Sequence, residues 1–178
     1  EGGALAMEVC NPYGFAAHAI EDVKPMFAPG VLLDAAAAKG VCAIDAGTVL
    51  TANDLQECCR RQGVEIKAGD VVLVRTGRMT VWPDFDGYLV NTPGIGLDAC
   101  KWLCEEAGYM CSAWDTIGLE VRPSEEENVF LPVHAYMFAT AGAQIIEVVD
   151  MEEIAAEKQY EFAFLGFPLK LRGATGAP

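Results

Sequence analysis

Histidine and positive charge are both scarce in this chain. Its 178 residues include two histidines, and 12 Lys and Arg stand against 26 Asp and Glu, which gives a net charge of −14. A surface with that charge repels phosphate backbones and anionic lipid, so we expect no nucleic-acid partner. With His18 and His134 as its only imidazoles, the chain also lacks the residues for a site of several histidine ligands.

Long apolar runs are absent as well. No stretch approaches the ~20 residues that a membrane-spanning helix needs, and no signal or transit peptide is recognisable. We therefore expect no transmembrane segment. Because the chain begins at Glu1 and not at Met, we expect the full protein to include an upstream segment.

Disulfide and zinc-finger patterns are also missing. The seven cysteines are odd in number and form no Cys-x-x-Cys. Cys58-Cys59 and the pair Cys100 and Cys104 fall in helical patterns, where thiols act as small hydrophobic side chains. We predict no disulfide, no zinc site made of cysteines, and a reducing compartment inside the cell, either the cytoplasm or an organelle interior.

The apolar pattern of the remaining chain predicts an α/β domain with a mixed sheet and helices over one face. The predicted strands lie at 71–74, 109–113 and 144–148, and the predicted helices at 51–62, 97–107, 132–142 and 151–157. The first 30 residues carry three prolines and several glycines. We therefore divide the chain into an irregular N-terminal segment, 1–30, and the α/β domain, 31–178.

The segment 76–93 has little regular pattern and is long for a loop within a domain. It contains Trp82, Phe85 and Tyr88, and aromatic side chains are enriched in the cores of protein interfaces. We predict that this loop is buried against another chain or folds over the mouth of a pocket. The alternative is a loop that packs on its own domain.

His134 and Glu147 are the residues that point most directly to chemistry. Pro132 begins the helix that carries His134, and the following apolar strand leads to Glu147. An imidazole and a carboxylate at the same end of a helix–strand unit make half of a metal site. The alternatives are a capping or packing role for His134 and a solvated Glu147. His18 fits no motif and is taken as a surface residue.

Seven segments in order then carry a resemblance. They are Gly30-Val-Leu-Leu-Asp34 with Lys39-Gly40; Gly69-Asp-Val-Val-Leu-Val-Arg75-Thr76-Gly77; Pro93-Gly94 through Trp102-Leu103; Asp115-Thr116 with Glu120; Pro132-Val-His134; Glu147; and Pro168-Leu169 with Gly173-Ala-Thr-Gly176. Together they resemble the metal-dependent cyclase family, which includes the kynurenine formamidases (arylformamidases) and the isatin hydrolases. The resemblance covers residues 10–178.

That resemblance implies a three-layer β/β/α fold related to swivelling domains, with a mixed sheet, and protein partners in a homo-oligomer or a larger assembly. It implies hydrolysis of small cyclic or formyl amides with zinc or manganese. The family holds its metal chiefly with a motif of the type His-x-Gly-Thr-His-x-Asp. This motif is absent from the chain and is expected upstream of it.

The resemblance assigns roles to five residues. It makes His134 and Glu147 a metal-binding pair, and it places Asp115, Thr116 and Arg75 along the pocket. The residues themselves leave alternatives open: Asp115 can be a turn or N-cap residue, and Arg75 can be held in a structural ion pair behind the pocket. No catalytic residue is identified.

Two functions are consistent with these observations. The first is a cyclase-family amide hydrolase that cleaves the C–N bond of a formamide or lactam, with its metal motif outside this chain. The second is a degenerate, non-catalytic family member that serves as a structural or interaction subunit. Because catalytic zinc normally has three protein ligands, we expect no metal on this chain alone and no activity from it in isolation.

Overall fold

The computed structural model describes residues 9–178. Within them the strands are β1 (Cys10–Asn11), β2 (Gly14–Phe15), β3 (Met26–Asp34), β4 (Val49–Leu50), β5 (Val71–Arg75), β6 (Gly94–Ile95), β7 (Cys111–Trp114), β8 (Gln144–Ile146) and β9 (Glu161–Gly166). The helices are α1 (Ala35–Lys39), α2 (Ala52–Gln62), α3 (Phe85–Leu89), α4 (Leu97–Lys101), α5 (Pro132–Tyr136) and α6 (Glu152–Ala156), with 3₁₀ turns at Ile20–Asp22 and Arg78–Val81.

A five-stranded mixed sheet organises the chain, in the order β8-β7-β5-β3-β9. The pairs β3–β5, β5–β7 and β7–β8 are parallel, with Val71 opposite both Gly30 and Cys111, and Cys111 opposite Gln144. Parallel strands in register finish at the same edge of a sheet. The residues that end or follow these four strands therefore share one edge, where α/β folds place their sites.

Two units are distinguished by their internal contacts. One runs from Pro29 to Phe162, and the other combines the described residues up to Ala28 with Ala163–Pro178. In the second unit the Phe15 N–H donates to the Gly173 carbonyl at 2.8 Å. A Cβ on Gly14 would lie 2.4 Å from that same oxygen, so the close approach of the two segments requires a glycine there.

The main core of the 29–162 unit lies between the sheet and the helices on one of its faces. Every second residue of β3 and β5 enters it, as the period of a strand requires, and helices α1, α2, α4 and α5 cover it. Its fully buried members include Leu33, Val72, Val74, Leu55, Cys100, Leu103 and Met137. Burial of each Leu, Val or Met side chain among them stabilises the fold by about 1.5–3 kcal/mol.

The predicted strands and helices are confirmed, with differences in detail. Thr51 caps α2 through a reciprocal pair of bonds with Asp54, and Gly63 ends it. The predicted helices 97–107 and 132–142 begin as α4 and α5 and continue as π-helical turns, Trp102–Ala107 and Met137–Ala141. Helix α1, which Asp34 caps, was not predicted.

The α/β fold class is confirmed. None of the helices within residues 9–178 is long and apolar enough to cross a lipid bilayer.

Candidate functional site

The site forms where β7 and β8 end side by side. Asp115 and Thr116 follow β7, and Glu147 follows β8. Beyond the paired residues, the Val148 N–H donates to the Thr116 carbonyl at 3.1 Å, and the Val149 N–H donates to the Trp114 carbonyl at 2.9 Å. These two bonds fix the backbone on the C-terminal side of Glu147.

Val148 adopts an unusual backbone conformation directly after Glu147. Its φ is +60°, a region that β-branched residues rarely enter. Such a conformation costs about 1–3 kcal/mol and persists only where the surroundings impose it. The turn redirects the chain at the point where Glu147 projects, so the strain is stored beside a candidate functional side chain.

His134 is delivered by a helix with an unusual cap. Pro132 occupies the first helical position of α5, and Leu131, the N-cap residue, makes no side-chain cap bond. The Glu120 carboxylate takes over that role, because it accepts hydrogen bonds from the N–H groups of Val133 and His134, both at 3.2 Å. A carboxylate at this end also complements the helix dipole.

Glu120 is itself held by the backbone of a neighbouring segment. Ile95 of β6 exchanges hydrogen bonds with the residues on either side of Glu120, Leu119 and Val121, at 3.0 and 3.2 Å. A Cβ on Gly94 would lie 2.5 Å from the backbone of this segment, so only glycine permits the approach. The Glu120 side chain is 2% exposed. Its backbone is held by β6 and its carboxylate by the start of α5, so its position is fixed.

These elements bring one imidazole between two carboxylates. The Nδ1 atom of His134 contacts Glu120 Oε1 closely, and its Nε2 atom lies 3.3 Å from Glu147 Oε1. Burial lowers the pKa of His134, but the hydrogen bonds and charges of Glu120 and Glu147 outweigh this and raise it to about 9. The two carboxylates thus favour the protonated imidazole.

The distance between His134 Nε2 and Glu147 Oε1 is compatible with a metal ion bound by both atoms. With zinc–nitrogen and zinc–oxygen bonds near 2.1 Å and tetrahedral angles, two ligand atoms lie about 3.4 Å apart, close to the separation of His134 Nε2 and Glu147 Oε1. Glu120 is on the other side of the ring. The pair therefore offers two candidate metal-binding atoms, and within residues 9–178 no three His, Cys, Asp or Glu side chains form a metal-binding group.

Comparison with known proteins identifies the family. The family model described as "Putative cyclase" matches residues 10–121, which is more than half of the chain. This chain belongs to the cyclase family. None of the curated proteins matches it.

Solved structures share the cyclase fold. A crystal structure of a novel cyclase is 31% identical, with a TM-score of 0.75, and the match covers 84% of this chain and 50% of that one. Isatin hydrolase A from Ralstonia solanacearum is 26% identical, with a TM-score of 0.75 and coverage of 90% and 61%. Isatin hydrolase A from Labrenzia aggregata, bound to benzyl benzoate, is 20% identical, with a TM-score of 0.72 and coverage of 94% and 63%. The present cyclase chain spans less than two thirds of each.

Asp115 and Thr116, predicted to line a pocket, are both fully buried in this cyclase chain. The Asp115 carboxylate accepts hydrogen bonds from the Thr76 hydroxyl and from the N–H groups of Thr76, Gly77 and Arg78, at 2.8–3.0 Å. Burial raises the pKa of Asp115, and these bonds oppose the change. The Thr116 hydroxyl donates to the Gly118 carbonyl at 3.0 Å. Both residues thus organise the turns that surround the site.

Arg75, the third residue assigned to the pocket, forms a buried ion-pair network. Its guanidinium lies 2.9 Å from Asp34 and 2.7 Å from Glu152, and it also donates to the Cys42 carbonyl at 3.3 Å. This arrangement corresponds to the structural alternative that the sequence left open for Arg75.

The segment 76–93 has more structure of its own than its sequence suggested. The Arg78 guanidinium donates to the carbonyls of Gly87, Tyr88 and Val90, and the Tyr88 hydroxyl donates to the Asp115 carbonyl at 2.9 Å. Tyr88 is therefore buried against its own unit, whereas Trp82 is about half exposed. The predicted contact with another chain stays a prediction.

Two other expectations are confirmed. All seven cysteines, which lie within the described residues, are free, and His18 is exposed.

Sequence reasoning assigned no role to Glu120 or Phe138. Glu120 stood in the resembling series without a function, although a lone carboxylate between Leu119 and Val121 is a signal of a buried polar role. Phe138 lies one helical turn after His134, and their ring centres are 5.8 Å apart at 71°. Its i+4 spacing from His134 was the signal that could have found it.

Proposed function

We propose that this chain contributes His134 and Glu147 to the metal site of an amide hydrolase that acts on small cyclic or formyl amides. The observation that carries the proposal is the 3.3 Å separation of His134 Nε2 and Glu147 Oε1, with the other ring nitrogen occupied by Glu120. Zinc or manganese suits one imidazole and one carboxylate. Further ligands would have to come from outside this pair.

The bound cation would supply Lewis-acid polarisation of the amide carbonyl and activation of water. The chain's own residues hold and orient the two proposed metal-binding side chains. Glu120 fixes the His134 ring through its Nδ1 atom, and the turn at Val148 directly follows Glu147, whose Oε1 atom lies 3.3 Å from His134 Nε2. Both ligand side chains are only partly exposed, at 16% and 31%, so they enter the site with much of their water already removed.

The half-exposed ring of Phe138 supports an aryl amide as the substrate. It is 53% exposed and packs edge-on against His134, so a flat apolar face borders the ligand pair. Aromatic rings pair favourably in offset or edge-to-face geometry, which stabilises a contact by about 0.5–1.5 kcal/mol beyond burial. The likeness to isatin hydrolase A from Ralstonia solanacearum, 26% identical, supports the same substrate class.

The test is hydrolysis by the full protein that carries this chain. Hydrolysis of N-formylaniline and of isatin is measured by absorbance in the presence of added zinc or manganese. The wild type is compared with the variants His134→Ala and Glu147→Gln. We expect metal-dependent turnover that each variant lowers by at least 100-fold, since each removes one ligand. The variant His18→Ala, which removes the exposed histidine, is the matched control and should keep wild-type activity. Turnover that persists in His134→Ala would contradict the proposal.

The second candidate is a non-catalytic structural or interaction subunit. It is favoured by the absence of a three-residue metal group within residues 9–178 and by large apolar side chains that are more than half exposed, among them Tyr13, Phe27, Phe130 and Phe167. Metal analysis of the purified full protein separates the two functions. A hydrolase should retain about one equivalent of metal, whereas a structural subunit should retain none and co-purify with a partner.

A further inference from the structure

Glu120 makes one more bond than a helix cap requires. Its two carboxylate oxygens accept from the N–H groups of Val133 and His134, and this alone satisfies two free donors at the start of α5. The same Oε1 atom also contacts Nδ1 of the His134 ring. One buried carboxylate therefore binds both the backbone and the side chain of the same histidine.

This double attachment decides which nitrogen of the ring can bind a cation. Both Glu120 oxygens accept hydrogen bonds from the helix backbone, and a carboxylate that acts as an acceptor at both oxygens requires a proton on the Nδ1 atom that faces it. A neutral imidazole has a single N–H, and the lone pair then resides on Nε2. That atom is the one that faces Glu147.

Because Glu120 is bonded to the helix backbone as well, the ring cannot turn without losing an interaction. A flip about the Cβ–Cγ bond would place a C–H group against the buried carboxylate and leave it one donor short. An unpaired buried polar group costs about 1–3 kcal/mol, and more when it is charged.

We infer that Glu120 is the positioning residue of the site: it selects the tautomer and the ring orientation that make His134 Nε2 the metal-binding atom. The inference rests on the proposed function for the identity of the ligand, a divalent cation such as zinc or manganese. Carboxylates that hold metal-binding histidines in this way typically change metal affinity by 10–100-fold when they are altered.

The first measurement is the zinc affinity of the full protein, determined by competition with a chromophoric chelator. Glu120→Gln keeps the size of the side chain and an oxygen that can accept from the helix backbone, but it removes the charge. We expect it to weaken zinc binding by 10–100-fold while the circular dichroism spectrum stays unchanged. Glu127→Gln, the same change at an exposed residue of the neighbouring loop, should bind zinc as the wild type does.

The second measurement reads the histidine directly and does not depend on metal. The chain has only two histidines, so a long-range proton–nitrogen spectrum of histidine-labelled protein contains two imidazoles, and His18→Ala assigns them. In the neutral form of the ring we expect the wild type to carry its proton on Nδ1. In Glu120→Gln we expect a mixture in which the Nε2–H tautomer is substantial.

The outcomes separate this inference from the proposed function. A wild type that binds no zinc defeats the proposed function, while the spectrum still decides the role of Glu120. An Nε2–H tautomer in the wild type, or an unchanged tautomer in Glu120→Gln, overturns the inference, and so does zinc affinity that the variant leaves intact. If Glu120→Gln fails to fold, the wild-type spectrum still tests the inference, because the tautomer of His134 can be read from it alone.

Discussion

Replacement of Asp115 should lower the free energy of unfolding more than replacement of a buried aspartate that accepts a single hydrogen bond. The side chain is fully buried, and its carboxylate accepts from three consecutive N–H groups, those of Thr76, Gly77 and Arg78, and from the Thr76 hydroxyl. Gly77, with φ at +81°, turns the backbone so that these donors converge on one anion, as in an anion-binding nest.

The magnitude follows from the number of donors left without a partner. A buried donor that loses its acceptor costs about 1–3 kcal/mol, so Asp115→Ala, which abandons three backbone donors, should cost about 4 kcal/mol after water partly fills the gap. Asp115→Asn keeps one acceptor oxygen but turns an NH₂ group towards the remaining donors. It also relieves the burial of charge that raises the pKa of Asp115, so we expect about 2 kcal/mol.

Urea denaturation followed by tryptophan fluorescence measures both values, because the buried Trp114 directly precedes Asp115. Domains of this size are stable by about 5–15 kcal/mol, so Asp115→Asn should remain folded at 25 °C. Asp70→Asn is the matched control, since Asp70 is also buried and accepts one backbone bond, from the Lys67 N–H at 2.7 Å. It should cost about 1 kcal/mol.

Hydrogen exchange supplies the local test. In Asp115→Asn the amides of Thr76, Gly77 and Arg78 should exchange at least tenfold faster, beyond the change in global stability. If Asp115→Asn is no more destabilising than Asp70→Asn, or if these amides stay protected, the carboxylate does not organise the segment.

Three further predictions concern the surroundings of the site. Arg75→Met should lower the free energy of unfolding by about 3–5 kcal/mol, because it leaves the buried Asp34 without its cation, and chemical denaturation measures the loss. Val148→Gly should leave stability within about 1 kcal/mol of the wild type or raise it, since relief of the positive φ offsets the added chain entropy, whereas Val149→Gly should destabilise the chain by about 1–2 kcal/mol. Phe138→Ala should raise the KM for an aryl formamide by about tenfold with little change in kcat or in zinc affinity, which steady-state kinetics and metal competition can check.

Much of the fold was predictable because its signals are local. The continuous apolar run 71–74 marks a strand covered on both faces, and Thr51 with Asp54 forms the cap that the sequence indicated. Helix α1 escaped prediction because Ala35–Lys39 is short and its alanines show no periodic pattern. The π-helical ends of two helices also have no signal in hydrophobic spacing, since they depend on how the last turn packs.

The site was predictable only in part, for a different reason. His134 and Glu147 were singled out because parallel strands and their helices bring such residues to one edge. The role of Glu120 depends on contacts across 14 residues of chain, and no pattern in the sequence states which carboxylate will face which ring nitrogen. The resemblance placed Arg75 and Asp115 along the pocket, and that placement stays a prediction. In the structure their polar atoms are bonded to buried donors and partner charges, which no pattern in the sequence indicates.

The interactions that hold His134 and Glu147 in place bear on the choice between an enzyme and a structural subunit. Three separate features restrict the positions of His134 and Glu147. They are the bond from Glu120 to the His134 ring, the positive φ of Val148, and the bond from the Val148 N–H to the Thr116 carbonyl. At least the second costs stability, by about 1–3 kcal/mol, and a fully buried carboxylate costs more unless all its partners are in place. The His134 imidazole pairs with both Glu120 and Glu147, and the 3.3 Å between Nε2 and Glu147 Oε1 is long for a hydrogen bond. We propose that a divalent cation between these two atoms accounts for the separation, and metal analysis of the full protein distinguishes this from an ion pair that is kept without metal.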